Sequence, residues 1–164
     1  YDSSKPDTVL PLLTPDGKLN KKIKPESKYK YFNKKTSVKN PVASITLALK
    51  EKNMLPAIYF TFSRKKCDEN AQKCANLELL TKDETIKVAS LVDEYIIENP
   101  YLENNPQIEL IKKGVASHHA GLLPGWKLLV ERLFQQGLIK MVFETETLAA
   151  GINMPARTTV ISSI

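Results

Sequence analysis

The chain is poor in cysteine, which argues against a disulfide scaffold and against a zinc site. Its two cysteines among 164 residues are too few for a small disulfide-rich protein. Cys67 and Cys74 fall on one predicted helix, about 10 Å apart along its axis, which is too far for a disulfide. Two thiols without histidine partners also make a poor zinc site. We therefore expect two buried, reduced thiols, which favours a reducing compartment.

Long apolar runs and nucleotide-binding glycine loops are also missing. No stretch approaches the roughly 20 apolar residues of a membrane-spanning helix, and the N-terminus has neither a signal-peptide pattern nor an initiator methionine. The phosphate-binding motif G-x-x-x-x-G-K-[ST] does not occur. What is present, 42% apolar and 26% charged residues, is ordinary for one globular domain with its own core. We expect a part of a longer protein that has no contact with membranes.

Positive charge is concentrated at the N-terminal end. Residues 1–40 carry ten lysines against four acids, which accounts for the whole formal charge of +6. Such a segment is either an arm that faces nucleic acid or a solvated, partly disordered linker. Pro41 is well suited to start a helix. We therefore predict a lysine-rich connector over residues 1–40 and a compact domain over residues 41–164.

Apolar spacing predicts alternating helices and strands in the compact domain. The predicted helices cover residues 41–53, 64–76, 83–99, 108–112 and 124–136, and the predicted strands cover residues 57–62, 114–118, 138–143 and the stretch from about 158. This alternation indicates an α/β fold with a parallel sheet. The strands are continuous apolar runs, as expected when helices cover both faces of the sheet.

Polar residues follow three of the predicted strands. Ser63 and Arg64 follow the first, residues 118–121 end the second, and residues 145–147 follow the third. Parallel α/β sheets bind ligands at the carboxyl ends of their strands, so we expect these segments to meet at one edge and form a binding site. His118 and His119 would point to opposite faces of a strand, and no third ligand is near in sequence. We therefore predict no metal site.

Three sequence blocks resemble, in order, those of the superkiller-type DExH RNA helicases of superfamily two. Residues 56–67, which include Phe-Thr-Phe-Ser-Arg-Lys-Lys-Cys, are similar to helicase motif IV. Residues 114–124 contain His-His-Ala-Gly-Leu-Leu-Pro, which is similar to the His-His-Ala-Gly-Leu block of the same helicase domain. Residues 143–158 contain Thr-Glu-Thr-Leu-Ala-Ala-Gly-Ile-Asn-Met-Pro, which is similar to motif V. The resemblance implies a RecA-like sheet, the second of two such domains in a motor. Residues 1–40 would then connect it to the first.

The resemblance implies contacts between this domain and the nucleic-acid backbone. Thr145 and the N–H of Gly121 are the residues it assigns, and the hydroxyl of Thr147 is of the same kind, since hydroxyl and N–H groups hold phosphate oxygens without reading bases. Ser63 and Arg64, at a helix N-terminus, also suit a phosphate. The alternatives are turn-stabilising hydrogen bonds for the threonines and a solvated side chain for Arg64.

Gly151 and Asn153 occupy positions that, by the resemblance, face ATP. A glycine permits close approach of the backbone, and a short amide can bond a ribose hydroxyl; the alternative is an ordinary loop glycine and turn asparagine. ATP and Mg²⁺ would be bound mainly by the first RecA-like domain, to which the phosphate-binding loop and the metal-binding acids belong. No catalytic residue is assigned here, and we predict that this chain alone does not hydrolyse ATP.

Three further positions have two interpretations each. Glu144 stands where the family commonly carries a small residue, and a carboxylate pointing into the nucleic-acid path would weaken phosphate contact. Glu146 can pair with Arg157 or with a group of the other motor domain. Trp126 can stack on a base or pack between helices.

The function implied by the resemblance is ATP-dependent unwinding of RNA, or translocation along it, in the cytoplasm or an organelle. The strand would be held through phosphate and sugar rather than sequence. Two alternatives stay open. A DNA repair helicase of the same superfamily would make the same backbone contacts, because the 2′-hydroxyl is the only chemical difference along the strand. A non-catalytic RecA-like scaffold would also bind nucleic acid, and Glu144 is its best support.

Overall fold

A computed structural model describes residues 40–145 and 155–162. Its elements in chain order are helix α1 (Pro41–Glu51), strand β1 (Ala57–Phe60), α2 (Arg64–Lys73), α3 (Lys82–Glu98), a 3-10 turn (Pro100–Leu102), α4 (Ile108–Ile111), β2 (Val115–His118), α5 (Pro124–Gln135), β3 (Met141–Glu144) and β4 (Thr158–Ile161). None of the described helices is long and apolar enough to cross a membrane. The predicted connector lies outside the described residues except for Asn40, which caps α1 by accepting a hydrogen bond from Ala43 N at 3.1 Å.

The four described strands form one sheet in the order β2-β3-β1-β4. All three pairings are parallel, so the predicted α/β fold with a parallel sheet is confirmed. In the last register row, Phe60 lies beside Glu144 and Ile161, and His118 lies beside Glu144. The carboxyl ends of the four strands therefore meet at a single edge, called here the carboxyl edge.

Helices cover both faces of the sheet, as the continuous apolar strands predict. Strand residues alternate between the two faces. Ile58, Ala116 and Val142 belong to the core layer beneath α3 and α5, whereas Tyr59 and Phe143 belong to the layer beneath α1 and α2. Each large side chain fully buried in these layers contributes about 1.5–3 kcal/mol. The sheet is thus packed against helices on both faces.

Both cysteines are free and buried, as predicted. Burial raises the pKa of each thiol, so both stay protonated at neutral pH. Cys67 Sγ lies 3.1 Å from the Thr61 hydroxyl, and Cys74 Sγ lies 3.5 Å from the Thr46 hydroxyl. The thiols act as small core side chains with one polar neighbour each.

Glu84 joins the start of α3 to the start of β3. It completes a capping box with Thr81, and Lys140 Nζ lies 2.6 Å from its carboxylate. Burial by itself raises the pKa of Glu84, but the hydrogen bonds from Lys140 and Thr81 outweigh it and the pKa lies below its usual value.

Two predicted strand boundaries are wrong. Residues 138–140 were predicted as the start of a strand, but β3 begins at Met141. Leu138 N instead bonds Leu133 O at 2.9 Å, after Gly137 has turned the chain with φ +70°. An apolar residue just beyond a helix end commonly makes this closing bond, and in sequence it is indistinguishable from strand. The first strand ends at Phe60, two residues earlier than predicted, because the chain turns at Thr61 towards α2.

Apolar spacing predicts that Leu47 and Ile86 lie on the buried sides of their helices, and Ser63 is predicted to cap α2; these three predictions are wrong. Ile86 is 71% exposed and Leu47 is 40% exposed. The buried side of α3 is set by Val88, and a residue two positions away lies on the opposite side of a helix. Ser63 occupies the N-cap position of α2, but its side chain makes no capping bond.

Candidate nucleic-acid interface

The carboxyl edge brings together the polar segments that follow β1, β2 and β3. Phe60, His118 and Glu144 are the last residues of these strands, and they stand side by side in the register. Thr145 follows Glu144 directly, and Ser63, Arg64 and Gly121 follow their strands within about four residues, so the structure places these four predicted residues at one edge. Thr147, Gly151, Asn153 and Glu146 lie outside the described residues.

Arg64 and Gly121 are close neighbours at this edge. A Cβ built on Gly121 would lie 3.5 Å from Cδ of Arg64 and 3.1 Å from Nδ1 of His119. The Arg64 stem thus lies within ordinary contact distance of this position, and a side chain at Gly121 would crowd the His119 ring rather than Arg64. Arg64 itself is exposed, so its guanidinium is accessible to an anionic ligand.

The N-terminus of α2 adds unpaired backbone donors to the same place. The first turn of a helix leaves N–H groups without helical partners and carries partial positive charge. Ser63 introduces this turn in an extended conformation, and the first turn contains no acidic residue. Arg64, Lys65 and Lys66 are all exposed. Positive side chains and N–H groups at one helix end are suited to a phosphate oxygen.

Asp68 organises a hydrogen-bond network beneath these groups. Its carboxylate accepts from Ser117 Oγ at 2.5 Å and from Gln107 Nε2 at 3.3 Å. His119 Nε2 lies 3.2 Å from both carboxylate oxygens. Gln107 also accepts from Ser117 N at 3.3 Å. One side chain of α2 thus ties together the end of β2 and the segment before it.

The hydrogen bonds of His119 determine its tautomer. Gly121 N donates to His119 Nδ1 at 3.2 Å, so Nδ1 carries no proton. The other ring nitrogen, Nε2, therefore carries it and donates to Asp68. The resemblance assigns the Gly121 N–H to an RNA phosphate, whereas in this structure the N–H is donated to His119. A phosphate at Gly121 would have to share this N–H or take it over.

Serine, histidine and aspartate together do not form a nucleophilic site here. In a catalytic triad the histidine lies between the serine and the acid and takes the serine proton. Here the carboxylate of Asp68 lies in the middle, and both Ser117 and His119 donate to it. His119 has no nitrogen available for the Ser117 proton, since Nδ1 already accepts from Gly121. The network can hold a backbone in place, but it cannot activate a hydroxyl.

The chain is similar in sequence to known RNA helicases. The chain is 49% identical over 116 residues to the chloroplastic DExH-box ATP-dependent RNA helicase DExH15 of Arabidopsis thaliana, covering 71% of this chain and 10% of that protein. It is 39% identical over 126 residues to mouse superkiller complex protein 2, covering 74% and 10% of the two chains. The chain belongs to the superkiller-type DExH-box helicase family. A further relative is the yeast antiviral helicase SKI2, 35% identical over 143 residues, or 84% of this chain and 11% of that protein.

The match covers only a small part of these helicases. The chain spans about a tenth of the length of the curated relatives it matches. No family model matches the chain. The α/β sheet of the described residues is consistent with a RecA-like helicase domain.

Asp68, Gln107 and Ser117 are not among the residues predicted from the sequence. One signal was available for Asp68: it lies four residues after Arg64, which places both side chains on one face of α2. No comparable signal was available for Gln107, because it reaches Asp68 across 39 positions of the chain.

Glu144 and Trp126 are both internal in this domain. Glu144 is 1% exposed, so its carboxylate is buried and does not lie on the surface of the domain. Trp126 is fully buried in the layer beneath α3 and α5, so packing between helices is the correct interpretation and base stacking is wrong. Lys127, beside it, is half-buried. Among residues 40–145 and 155–162, no group of three histidine, cysteine or acidic side chains is arranged to hold a metal ion.

His118 points to the opposite face of the sheet from His119 and contacts α5. Its Nε2 lies 2.9 Å from Oε1 of Glu131. Burial lowers the pKa of His118, and the contact with Glu131 opposes this only in part, so the imidazole is held neutral. In that state Nε2–H donates to the Glu131 carboxylate.

We expect this domain to lose stability in mild acid because of His118. The unfolded chain binds a proton at His118 as the pH falls through about 6.5, whereas the folded chain does so only at lower pH. The free energy of unfolding should therefore fall between pH 7.5 and pH 5.5, by at most about 1.4 kcal/mol per pH unit for one proton. Urea titrations at both pH values, comparing wild type with His118→Gln, measure this. An equally steep loss in the variant would show that His118 is not responsible.

Proposed function

We propose that this chain is part of an ATP-dependent RNA helicase and supplies backbone contacts to RNA from the carboxyl edge of its second RecA-like domain. Ser63, Arg64, Gly121, Thr145 and Thr147 are the residues that make these contacts. The helicase unwinds RNA or moves along it without reading its sequence. It acts in the cytoplasm, with an organelle as the alternative.

One observation supports this proposal: Phe60, Glu144 and His118, the last residues of three parallel strands, stand side by side in the register. Arg64 and Gly121 come from segments that are far apart in sequence, yet a Cβ on Gly121 would lie 3.5 Å from Cδ of Arg64. Thr145 follows Glu144, which pairs with both Phe60 and His118. Hydroxyl, guanidinium and backbone N–H groups hold phosphates without distinguishing bases, which suits a motor that acts on any sequence.

ATP and Mg²⁺ complete the proposed function and are bound mainly by a first RecA-like domain of the same protein. Gly151 and Asn153 of this chain face the nucleotide from the other side. When bound, ATP supplies the free energy of phosphoryl transfer to water. The residues of this chain hold the strand and orient it against the first domain. Residues 1–40 connect the two domains.

The proposal is tested by the RNA-stimulated ATPase activity of the full-length protein. We expect Thr145→Ala to lower the stimulated rate about tenfold or more, since a hydrogen bond to a charged group contributes about 1.5–3 kcal/mol. Asn153→Ala should lower it about threefold to tenfold, since a bond to a neutral ribose hydroxyl contributes about 0.5–1.5 kcal/mol. Thr85→Ala is the matched control, because Thr85 lies in the first turn of α3 and bonds only Thr81 O at 2.9 Å. It should retain full activity.

Other outcomes of the same assay favour the alternatives. Stimulation by DNA and not by RNA would identify a DNA helicase of the same superfamily. No turnover with either nucleic acid would refute the motor function and favour a binding scaffold. Loss of activity in Thr85→Ala as well would show that the effect of Thr145→Ala is not specific to the carboxyl edge.

A further inference from the structure

We propose that Asp68 is a positioning residue for RNA: through His119 it fixes the backbone turn that lies beside Arg64. This role rests on the proposed function, because it concerns the same RNA contact. The turn is formed by residues 119–122 and is called here the 119–122 turn. The hydrogen bonds of Asp68 go to Ser117, Gln107 and the His119 ring, so it acts on the turn through the imidazole.

The 119–122 turn is held by two hydrogen bonds, and both involve His119. Leu122 N donates to His119 O at 3.1 Å, which closes the turn. Gly121 N donates to His119 Nδ1 at 3.2 Å, which fixes its middle. The second bond exists only while Nδ1 has no proton. The shape of the turn therefore depends on the tautomer and the charge of one side chain.

Asp68 selects the tautomer that the turn needs. Its carboxylate has only acceptor sites and lies 3.2 Å from His119 Nε2 through either oxygen, so the proton is placed on Nε2. His119 is buried, whereas the Asp68 side chain is half-exposed. Rotation of the ring is restricted from both ends, by Asp68 and by Gly121.

Arg64 connects this network to the RNA contact. Asp68 and Arg64 are four residues apart on α2 and share one face of the helix. The stem of Arg64 passes beside Gly121, whose absent Cβ would lie 3.5 Å from Cδ of Arg64. If the turn changes shape, the backbone beside which the Arg64 stem lies moves as well. Asp68 thus influences the position of the guanidinium through His119 and the 119–122 turn.

An electrostatic effect and a positioning effect of Asp68 predict opposite results. A half-exposed carboxylate near a polyanion repels it, so Asp68→Asn should tighten RNA binding if charge alone matters. If Asp68 positions His119, the same variant should weaken binding. The wild-type Asp68 carboxylate accepts hydrogen bonds from Ser117, Gln107 and His119. The amide of asparagine has only one accepting oxygen and adds a donor. At least one of these three bonds must then be lost or reversed.

The test combines RNA affinity with the nitrogen spectrum of the histidine rings. The 164-residue chain contains two histidines, so long-range ¹H–¹⁵N correlation spectra resolve each imidazole and report which nitrogen carries the proton. Affinity for a single-stranded RNA oligonucleotide is measured by fluorescence anisotropy at fixed salt. We expect Asp68→Asn to move the His119 proton away from Nε2 and to weaken RNA binding about threefold to tenfold.

Three further variants make the result specific. Asp93→Asn removes the same charge from α3, where Asp93 pairs with Lys112 at 2.9 Å, and should leave both the His119 spectrum and the affinity within about twofold of wild type. His119→Ala should weaken binding as Asp68→Asn does, and the double variant should be no weaker than either, since one residue acts through the other. Asp68→Glu keeps the charge and both acceptors and should preserve the tautomer and most of the affinity, even if Asp68→Asn does not fold.

Several results would overturn the proposal. Equal or tighter RNA binding by Asp68→Asn would leave only the charge effect. Weaker binding with an unchanged His119 tautomer would show that Asp68 acts by another route. If wild type binds no RNA, the proposed function fails for this chain and the RNA role of Asp68 fails with it. Wild-type binding with no effect of Asp68→Asn would instead refute the positioning role alone.

Discussion

Replacing Arg64 with alanine is expected to weaken binding of single-stranded RNA about tenfold to a hundredfold. A guanidinium bonded to a phosphate contributes about 1.5–3 kcal/mol. Arg64 is exposed and its stem runs beside Gly121, so no rearrangement is needed before a phosphate can reach it. The slope of log affinity against log salt should also become shallower by about 0.7, the value for one phosphate contact on a single strand.

Arg157→Ala provides the matched control for Arg64→Ala. Both substitutions remove an exposed arginine and one positive charge. Arg157 lies just before β4, at the opposite edge of the sheet, where its Nη1 donates to Asn53 O at 2.9 Å. Arg157→Ala should change RNA affinity by less than about threefold, through net charge alone. If the two variants bind RNA equally weakly, the positive charge acts non-specifically and the carboxyl edge is not the contact surface.

Replacing Trp126 with alanine is expected to lower the free energy of unfolding by about 3–5 kcal/mol. Removing a fully buried aromatic side chain loses its transfer free energy and leaves a cavity. Trp126 is fully buried and packs among Val92, Leu129 and Val130 in the layer beneath α3 and α5. Urea unfolding followed by circular dichroism measures this, because Trp126 is the only tryptophan and the variant has no indole fluorescence.

Trp126→Phe separates packing from hydrogen bonding at this site. The indole Nε1 is buried and has no hydrogen-bond partner among the described residues. Phenylalanine removes that donor and keeps an aromatic ring, so the loss should be well below that of alanine, about 1–2 kcal/mol. A loss as large as that of Trp126→Ala would show that the indole makes a contact that a phenyl ring cannot replace.

The order of elements was largely predictable from sequence because each depends on local features. Pro41 and the capping box of Thr81 with Glu84 begin two helices, and both begin within one residue of prediction. The parallel sheet also followed from alternating helices and apolar strands. What sequence predicted poorly were ends and faces, such as the start of β3 and the exposed side chain of Ile86. The end of an element depends on which tertiary neighbour bonds its backbone N–H or C=O groups. The buried face of a helix depends on which element packs against it.

The candidate site was predicted in its outline and missed in its supporting residues. Polar residues after buried strands indicated the carboxyl edge, and the structure places Ser63, Arg64, Gly121 and Thr145 there. The contacts of the Gly121 N–H were not predictable, because they depend on the orientation of the His119 ring. That orientation depends in turn on Asp68, which lies 51 positions away in the chain.

The sequence by itself determined the class of fold, the family and the segments that carry the candidate site. These are local properties: apolar periodicity, helix caps and short motifs are written in consecutive residues. Only the tertiary structure decided that Glu144 and Trp126 are buried, that Asp68 links two segments, and that the N–H of Gly121 is already donated to a side chain. Burial and hydrogen bonds between distant residues exist only once the chain is folded, since they are set by the register of the sheet and by the helices packed on it.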